Sequence, residues 1–355
     1  MFSLKHKTGQ MIVSGFEGTC LNSRTEKLIN EQGIGGLILF ERNYENPKQL
    51  KSLIDDLQSL TAQNSPPLFI SVDQEGGRVA RLKEPFTQFP PMCCLGEANS
   101  DDLAYRFGIA MGKEMKAVGI NMDYAPVLDV HSNPENPIIG KRAISSNPEV
   151  VARLGCKILQ RFTDTVVSPV GKHFPGHGDT SQDSHLTLPR VERSKESLEK
   201  MELVPFVKAF QEGLEVIMTA HVVYPAWDEN SAATFSKYIL NDILRKKISF
   251  QGLVMSDDLE MQAVTQTPEE LPALAIKAGV DLFLICHDLD KVTRLQDAMI
   301  DGIETGKIPH KTVDNSFNRI MKSKKNIIDD KEIDLEQILV ENQKLAEEMR
   351  SYLTD

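Results

Sequence analysis

The chain has 355 residues, of which 41% are hydrophobic and 26% charged, and its formal net charge is −11. This length and composition suit a soluble globular protein whose core is large enough for a single α/β barrel. The negative net charge argues against a nucleic-acid partner, which would require a basic face.

The N-terminal stretch, MFSLKHKTGQMIVSGFEG, is too polar for a secretory signal. No later stretch approaches the roughly 18 to 20 apolar residues of a membrane span. The five cysteines are odd in number and scattered, so we expect reduced thiols and no disulfide framework. These features predict a cytoplasmic protein with no membrane partner.

Eight short apolar runs recur along the chain. They lack polar alternation, as expected for strands that are buried on both faces of a parallel sheet. The runs cover residues 11–16, 36–40, 68–73, 120–127, 166–173, 216–222, 252–256 and 280–286.

Segments of helical period separate these runs, and several begin with Asn-Pro, Thr-Pro or Asp-Asp start signals. The predicted helices cover residues 26–32, 47–60, 101–118, 148–162, 194–213, 235–247, 268–278 and 290–305. Eight strands that alternate with about eight helices predict a closed (β/α)8 barrel of the TIM type. An open doubly wound sheet is the structural alternative.

The chain from Lys322 onwards departs from the barrel pattern. After a polar stretch, residues recur at three- and four-residue steps along one face of a predicted helix: Leu335, Ile338, Asn342, Leu345, Met349 and Tyr352. We therefore predict a barrel over residues 1–320 and a C-terminal helical extension over residues 321–355. The extension either packs on its own barrel or forms a short oligomer contact, so we expect a monomer or a weak homodimer.

Functional side chains in such barrels lie at the C-terminal ends of the strands. In this chain, ionisable residues follow or end five of the apolar runs: Asp73, Glu75, Arg78, Arg81, Asp123, Asp129, Lys172, His173, His221, Asp257 and Asp258. Groups from five strand ends that meet at one rim indicate an active site. Asp257 could act there as a nucleophile, a base or a metal ligand, and Asp258 could cap the following segment.

The stretch 171–185, GKHFPGHGDTSQDSH, has the densest group of titratable side chains. Pro175 and the glycines beside it exclude a regular helix through its middle, so we predict a loop. Asp183 lies two residues before His185 and could orient the imidazole as an acid/base near neutral pH.

Two other interpretations of this stretch stay open. His173, His177 and His185 could bind a metal, although an HxxxH pair needs the helix that Pro175 breaks. Lys172 at a strand end also fits the Schiff-base lysine of an aldolase-like barrel. We favour neither and predict a site without a metal or an organic cofactor.

Three long motifs, VDQEGGRVARL, KHFPGHGDTSQDSH and GLVMSDDLEM, occur in this order. They resemble the β-N-acetylglucosaminidases of glycoside hydrolase family 3. GLILFERNYENPKQL, APVLDV and IMTAHVVYPAWD fit the same pattern, so the resemblance runs from about residue 11 to 300. It implies a (β/α)8 barrel and a retaining double displacement.

The resemblance also implies roles for individual residues. Asp257 matches the nucleophile, and His185 with Asp183 matches an acid/base dyad. The implied sugar-binding residues are Asp73, Arg81, Arg142, Lys172 and His173. After the arginine the family typically has Ser and an aromatic residue, where this chain has Ala143 and Ile144. Because the nucleophile must stay ionised, we expect Lys172 or an arginine to lower its pKa.

The implied partner is a small carbohydrate, namely N-acetylglucosamine β-1,4-linked to anhydro-N-acetylmuramic acid, with or without a peptide. An enzyme that removes this sugar would serve the recycling of cell-wall fragments. The enzyme alternative is a β-N-acetylglucosaminide phosphorylase or another β-glycosidase with the same dyad. The non-enzyme alternative is a sugar-binding barrel without catalysis, and the presence of Asp257, Asp183 and His185 argues against it.

Overall fold

The computed structural model describes residues 2–61, 66–162, 165–181, 188–327 and 333–353. Within these ranges the chain forms twelve β-strands: β1 Ile12–Ser14, β2 Gly36–Leu39, β3 Phe69–Val72, β4 Gln74–Gly76, β5 Val79–Ala80, β6 Met122–Asp123, β7 Ser168–Phe174, β8 Val216–Thr219, β9 Val223–Tyr224, β10 Asp228–Ala232, β11 Leu253–Asp258 and β12 Leu282–Ile285.

Eight of these strands close into a parallel barrel in the order β1-β12-β11-β8-β7-β6-β3-β2. The register pairs Gly36 with Phe69 and Ser71 with Met122, and the final pairing of β1 with β12 sets Ile12 beside Phe283. Each of the eight predicted apolar runs overlaps one barrel strand. The predicted (β/α)8 barrel is therefore confirmed, and the open sheet is wrong.

The same ranges contain twelve α-helices: α1 Leu4–Gln10, α2 Ser23–Lys27, α3 Pro47–Ser59, α4 Cys93–Ala98, α5 Asp101–Ala117, α6 Pro148–Phe162, α7 Lys195–Lys200, α8 Leu203–Gln211, α9 Leu271–Ala278, α10 Leu289–Glu304, α11 His310–Lys324 and α12 Leu335–Arg350. Two π-helical segments, Leu28–Gln32 and Tyr238–Lys247, and four short 3-10 turns accompany them: Glu41–Asn43, Gly140–Arg142, Ala233–Phe235 and Lys325–Ile327.

One predicted helix, over residues 194–213, is two helices in the structure. α7 ends at Lys200, and α8 begins at Leu203 with Pro205 as its third residue. Proline has no backbone N–H and is tolerated in the first turn of a helix, not in its interior. A single helix from residue 195 would place Pro205 in the interior, so the chain starts a new helix instead.

Two antiparallel hairpins lie outside the barrel, and the sequence pattern missed both. β4 pairs with β5 directly after the third barrel strand, and β9 pairs with β10 after β8. Arg81, one of the predicted sugar-binding residues, directly follows the first hairpin.

The floor of the barrel contains a buried lysine. Lys324, the last residue of α11, donates hydrogen bonds from Nζ to Gln10 Oε1 at 2.8 Å and to the carbonyl of Gly35 at 2.7 Å. Nζ lies 5.0 Å from the centre of the Phe69 ring. Gln10, Gly35 and Phe69 precede or begin the first three barrel strands, and burial lowers the pKa of Lys324 well below its ordinary value.

The C-terminal helix α12 lies against α5. Asn342 is buried at this contact, and Arg106 of α5 makes two hydrogen bonds of 2.7 Å to Glu348. All five cysteines are free thiols. Over the described ranges, no helix combines the length and the apolar character that a membrane crossing requires.

Candidate active site

A cavity of about 260 Å³ opens at the C-terminal ends of the barrel strands. The predicted nucleophile and the five predicted sugar-binding residues all line it: Asp73, Arg81, Arg142, Lys172, His173 and Asp257. These six residues are far apart along the chain, and the closure of the barrel brings them together.

Lys172 lies in β7 and is almost fully buried. Its Nζ is 2.5 Å from Asp73 Oδ1 and 2.5 Å from Glu75 Oε1. Burial alone would lower the pKa of this lysine, but the two carboxylates raise it above its ordinary value. Lys172 therefore stays a cation, whereas a Schiff-base lysine must be a neutral amine to attack a carbonyl. The charged state of Lys172 therefore argues against its role as the Schiff-base lysine of an aldolase-like barrel.

Glu75 joins two cations beneath the cavity. Its carboxylate accepts hydrogen bonds from Arg142 Nε at 2.8 Å and Arg142 Nη2 at 2.7 Å, in addition to the contact with Lys172. Burial would raise the pKa of Glu75, but Arg142 and Lys172 together hold it well below its usual range. The paired geometry fixes the direction of both cationic side chains.

Arg81 is held mainly through its backbone. Its amide N–H donates to Gln74 Oε1 at 2.7 Å, and the amide of Gln74 donates to Asp123 Oδ1 at 3.0 Å. The guanidinium reaches Asp73 Oδ2 at a longer 3.4 Å. The β4–β5 hairpin therefore sets where Arg81 enters the cavity.

His173 is oriented by a buried carboxylate. Its Nδ1 is hydrogen-bonded to Asp129 Oδ2 at 2.7 Å, while Asp129 Oδ1 accepts the backbone amides of His173 and His177. Burial would raise the pKa of Asp129, but His173 and His177 lower it overall. Burial lowers the pKa of His177 to about 4, and His173 adds to this effect. His177 is therefore neutral near pH 7.

Asp257 lies at the end of β11 and faces the cavity, half-buried. Burial would raise the pKa of its carboxyl, but His173, His221 and the Asp258 amide lower it below its ordinary value. That amide donates to Asp257 Oδ1 at 2.8 Å. Lys172 also lowers this pKa, as expected, but the two histidines contribute more. The result is an ionised carboxylate at the cavity wall.

Asp258 lines the same cavity in a different state. Burial raises the pKa of its carboxyl to about 6. Its Oδ1 accepts the Glu260 amide at 3.1 Å, so it caps a turn and not a helix. The two neighbouring carboxyls thus differ, since Asp257 is ionised and Asp258 retains a proton more readily.

The predicted acid/base dyad, Asp183 and His185, lies outside the described residues. The chain approaches it at Ser181 and continues from Leu188. Within the described part of the chain, no three His, Cys, Asp or Glu side chains are grouped as a metal site requires. Because His185 is not among them, the predicted absence of a metal remains for experiment to test.

The family model described as Glycosyl hydrolase family 3 N terminal domain matches residues 3–323. This chain belongs to glycosyl hydrolase family 3. It is 38% identical over 308 residues to a Beta-hexosaminidase of Nitrosomonas eutropha, covering 82% of this chain and 86% of that one. It is also 38% identical over 286 residues to a Beta-hexosaminidase of Neisseria meningitidis serogroup B, covering 78% of each.

Two solved structures are similar to this family 3 protein over nearly its whole chain. A family 3 β-N-acetylglucosaminidase from a Paenibacillus species aligns with a TM-score of 0.94 and 36% identity, over 99% of this chain and 69% of that one. NagZ of Neisseria gonorrhoeae, solved with N-trifluoroacetyl-D-glucosamine, aligns with a TM-score of 0.81 and 32% identity, over 97% and 98%. The protein is a glycoside hydrolase, and these relatives support β-hexosaminidase activity.

Glu75, Asp129 and His221 are polar strand-end residues to which the sequence pattern assigns no role. In this family 3 protein Glu75 pairs with Arg142 across 67 positions, and Asp129 orients His173 across 44. His221 is buried and hydrogen-bonded to Thr234 Oγ1 at 2.8 Å. Their positions inside the family-like motifs indicated that they belong to the site, but only the fold shows which residues they contact.

Ala143 and Ile144, which replace the Ser and aromatic residue typical of the family, leave Arg142 in the site. Ala143 and Ile144 are both buried, and the carbonyl of Ile144 lies so close to Gly96 that a side chain there would clash with it. Ala143 and Ile144 pack into hydrophobic clusters, and Arg142 makes its two hydrogen bonds with Glu75.

Proposed function

We propose that this family 3 protein is a retaining exo-β-N-acetylglucosaminidase that removes terminal N-acetylglucosamine from cell-wall fragments. The observation that carries the proposal is the convergence of Asp257, as an ionised carboxylate, with five polar and charged residues in one cavity. A volume of about 260 Å³ is below the ~300–1,000 Å³ typical of pockets for drug-sized ligands. A site of this size suits one terminal sugar ring.

The charged residues suit the recognition of sugar hydroxyls. Lys172 and Arg142 are fixed donors because Glu75 and Asp73 hold them, and Asp73 offers an acceptor beside them. Charge-assisted hydrogen bonds from such groups are roughly twice as strong as neutral ones. A rigid set of donors and acceptors selects one arrangement of hydroxyls, which supports specificity for a single sugar.

Asp257 is the proposed nucleophile. In a retaining mechanism it attacks the anomeric carbon, the glycosidic bond breaks, and a covalent glycosyl-enzyme intermediate forms. Water then attacks that carbon and releases the sugar with its original configuration. The low pKa of Asp257 supports this role, because only the ionised carboxylate is a nucleophile.

His185 with Asp183 is the proposed acid/base pair. The imidazole would give its proton to the departing oxygen in the first step and accept one from water in the second. Asp258 is the rival within the described residues, since it lines the cavity and its pKa is about 6. Variants of the two candidates separate them.

The proposed substrate class is N-acetylglucosamine linked to anhydro-N-acetylmuramic acid, with or without a peptide, in the cytoplasm. The resemblance of the motifs supports this substrate. The gonococcal NagZ neighbour, solved with an N-acylglucosamine analogue, supports the sugar. The aglycone is an expectation that product analysis must test.

The first experiment measures hydrolysis of a chromogenic N-acetylglucosaminide by wild type and Asp257→Asn, with and without phosphate. We expect the variant to lose at least about 10³-fold in turnover while its circular dichroism spectrum is unchanged. The initial sugar product should be the β-anomer by NMR. The matched control is Asp56→Asn, which makes the same substitution at an exposed position of α3 and should behave as wild type.

Each alternative gives a distinct outcome. A sugar phosphate as the main product in phosphate buffer would indicate a phosphorylase. An α-anomer as the first product would exclude the retaining mechanism, and binding of the sugar without turnover would indicate a silent barrel. Substantial activity in Asp257→Asn would remove this residue from the nucleophile role.

A further inference from the structure

We propose that the C-terminal helix α12 positions the substrate-binding Arg81 through hydrogen bonds that run by way of Glu114, the loop at residues 86–89 and Gln74. The inference rests on the proposed role of Arg81 in binding the sugar. The helix spans Leu335–Arg350 and lies beyond residues 3–323, which match the family domain. Its contribution is therefore additional to that domain.

The first contact joins α12 to the loop through a buried carboxylate. Asn342 Nδ2 donates to Glu114 Oε1 at 2.7 Å and to the carbonyl of Ala110 at 3.1 Å. The other oxygen of Glu114 accepts the backbone N–H of Thr87 at 3.1 Å. One carboxylate on α5 thus connects the C-terminal helix to the loop.

The second contact is direct and involves the next residue of the loop. The guanidinium of Arg350, at the end of α12, donates to the carbonyl oxygen of Gln88. Phe89 packs edge-on against Phe107 of α5, with ring centres 5.1 Å apart. Three successive loop residues, from Thr87 to Phe89, are therefore held by α5 and α12.

The loop in turn fixes the backbone beside Arg81. Gln88 Nε2 donates to the carbonyl of Leu82 at 3.1 Å. The amides of Leu82 and Arg81 both donate to Gln74 Oε1, at 3.1 Å and 2.7 Å. Hydrogen bonds and the backbone between Thr87 and Gln88 and at Leu82 therefore connect α12 to the residue that enters the cavity.

Arg81 depends on this backbone support because its side chain is weakly anchored. The contact of its guanidinium with Asp73 is 3.4 Å long, and Nε finds no hydrogen-bond partner in the described part of the protein. The other contact of the guanidinium is with the face of Phe40, 5.7 Å from the ring centre, so the direction of Arg81 depends largely on its backbone. Loss of an interaction that substrate and transition state share raises KM and leaves kcat nearly unchanged.

The test compares Asn342→Ala with Val340→Ala in the full chain. Val340 is on the same helix but 63% exposed, so its truncation leaves the contact with α5 intact. We expect Asn342→Ala to raise KM for the chromogenic N-acetylglucosaminide roughly 3- to 10-fold, with kcat changed less than about 2-fold. Amide hydrogen exchange across residues 74–89 should become faster in Asn342→Ala and not in Val340→Ala.

A double-mutant cycle shows whether the effect passes through Arg81. In an Arg81→Ala background, Asn342→Ala should cause no further rise in KM, because the group it positions has been removed. A full additional rise in that background would overturn the proposed route.

A second variant keeps the test decisive if Asn342→Ala folds poorly. Arg350→Ala removes the contact with Gln88 at an exposed position, and it should speed exchange at residues 86–89. If both variants keep the wild-type KM and exchange rates and only the unfolding temperature falls, α12 stabilises the fold but does not position Arg81, and the proposal is wrong. If wild type shows no hexosaminidase activity, the proposed function fails, while the exchange measurement still decides the role of α12.

Discussion

Glu202 is a buried carboxyl whose ionisation should make the free energy of unfolding depend on pH. It lies between α7 and α8, and its carboxyl packs against Gly176, at the start of the loop that follows β7. Oε1 accepts a hydrogen bond from Ser132 Oγ at 3.1 Å, and Oε2 is buried without a partner among the described residues. The nearby Arg193 is bound to Asp179 by two hydrogen bonds of 2.5 and 2.8 Å.

Burial is the main reason that the pKa of Glu202 rises from its ordinary 4.5 to about 8, and the charge of Asp129 adds to it. As the pH rises, a carboxyl whose pKa is raised by folding ionises at a lower pH in the unfolded chain than in the folded protein. The contribution of Glu202 to stability is therefore highest below pH 4.5 and falls as the pH rises towards 8. At about 1.36 kcal/mol per pH unit, the loss is below ~1 kcal/mol at pH 5 and approaches ~4 kcal/mol at pH 8.

The perturbation is Glu202→Gln, which keeps the shape of the side chain and cannot ionise. Relative to this variant, wild type should lose about 3 kcal/mol in the free energy of unfolding between pH 5 and pH 8. Urea unfolding of both proteins at pH 5, 6, 7 and 8 measures the difference, with the exposed Glu229→Gln as the matched control. A gap between wild type and Glu202→Gln that is the same at pH 5 and pH 8 would refute the reasoning.

Three further predictions concern the active site. His185→Ala should slow substrates with poor leaving groups most, because those need protonation; equal losses across leaving groups, or selective losses in Asp258→Asn instead, would count against His185 as the acid. Glu75→Gln leaves Lys172 and Arg142 under-compensated and should lower the free energy of unfolding by about 3–5 kcal/mol, whereas a change under ~1 kcal/mol in urea titration would contradict the buried network. Exhaustive chelation should leave the hydrolysis rate unchanged, and a loss restored by added zinc would revive the metal site of His173, His177 and His185.

The barrel strands could be predicted because strands buried on both faces appear as continuous apolar runs. The ends of these apolar runs also mark the ends of the strands, where Asp73, Lys172, His173 and Asp257 lie. Pro and Asp start signals predicted the positions of most helices. The pattern did not predict the break between α7 and α8, which Pro205 in the first turn of α8 explains. The pattern also missed α11, whose mixed composition obscures its buried face.

The pairing of charges could not be predicted. Nothing in the local sequence of Glu75 says that Arg142 and Lys172 will flank it, because the three meet only when the barrel closes. The same is true of the low pKa of Asp257, which depends mainly on His173 and His221 and less on the expected Lys172. Sequence patterns specify the elements here, whereas the electrostatics depend on contacts between elements.

The buried lysine at the barrel floor has a consequence for dissection of the protein. Lys324 binds the stretches that enter the first three strands, and it stands one residue beyond the segment 3–323 that matches the family domain. A fragment cut at the end of that segment would lose the buried amino group, which contacts the residues at the start of the first three strands. The smallest autonomous folding unit should therefore extend past residue 324, and limited proteolysis should find its first stable C-terminal boundary beyond it.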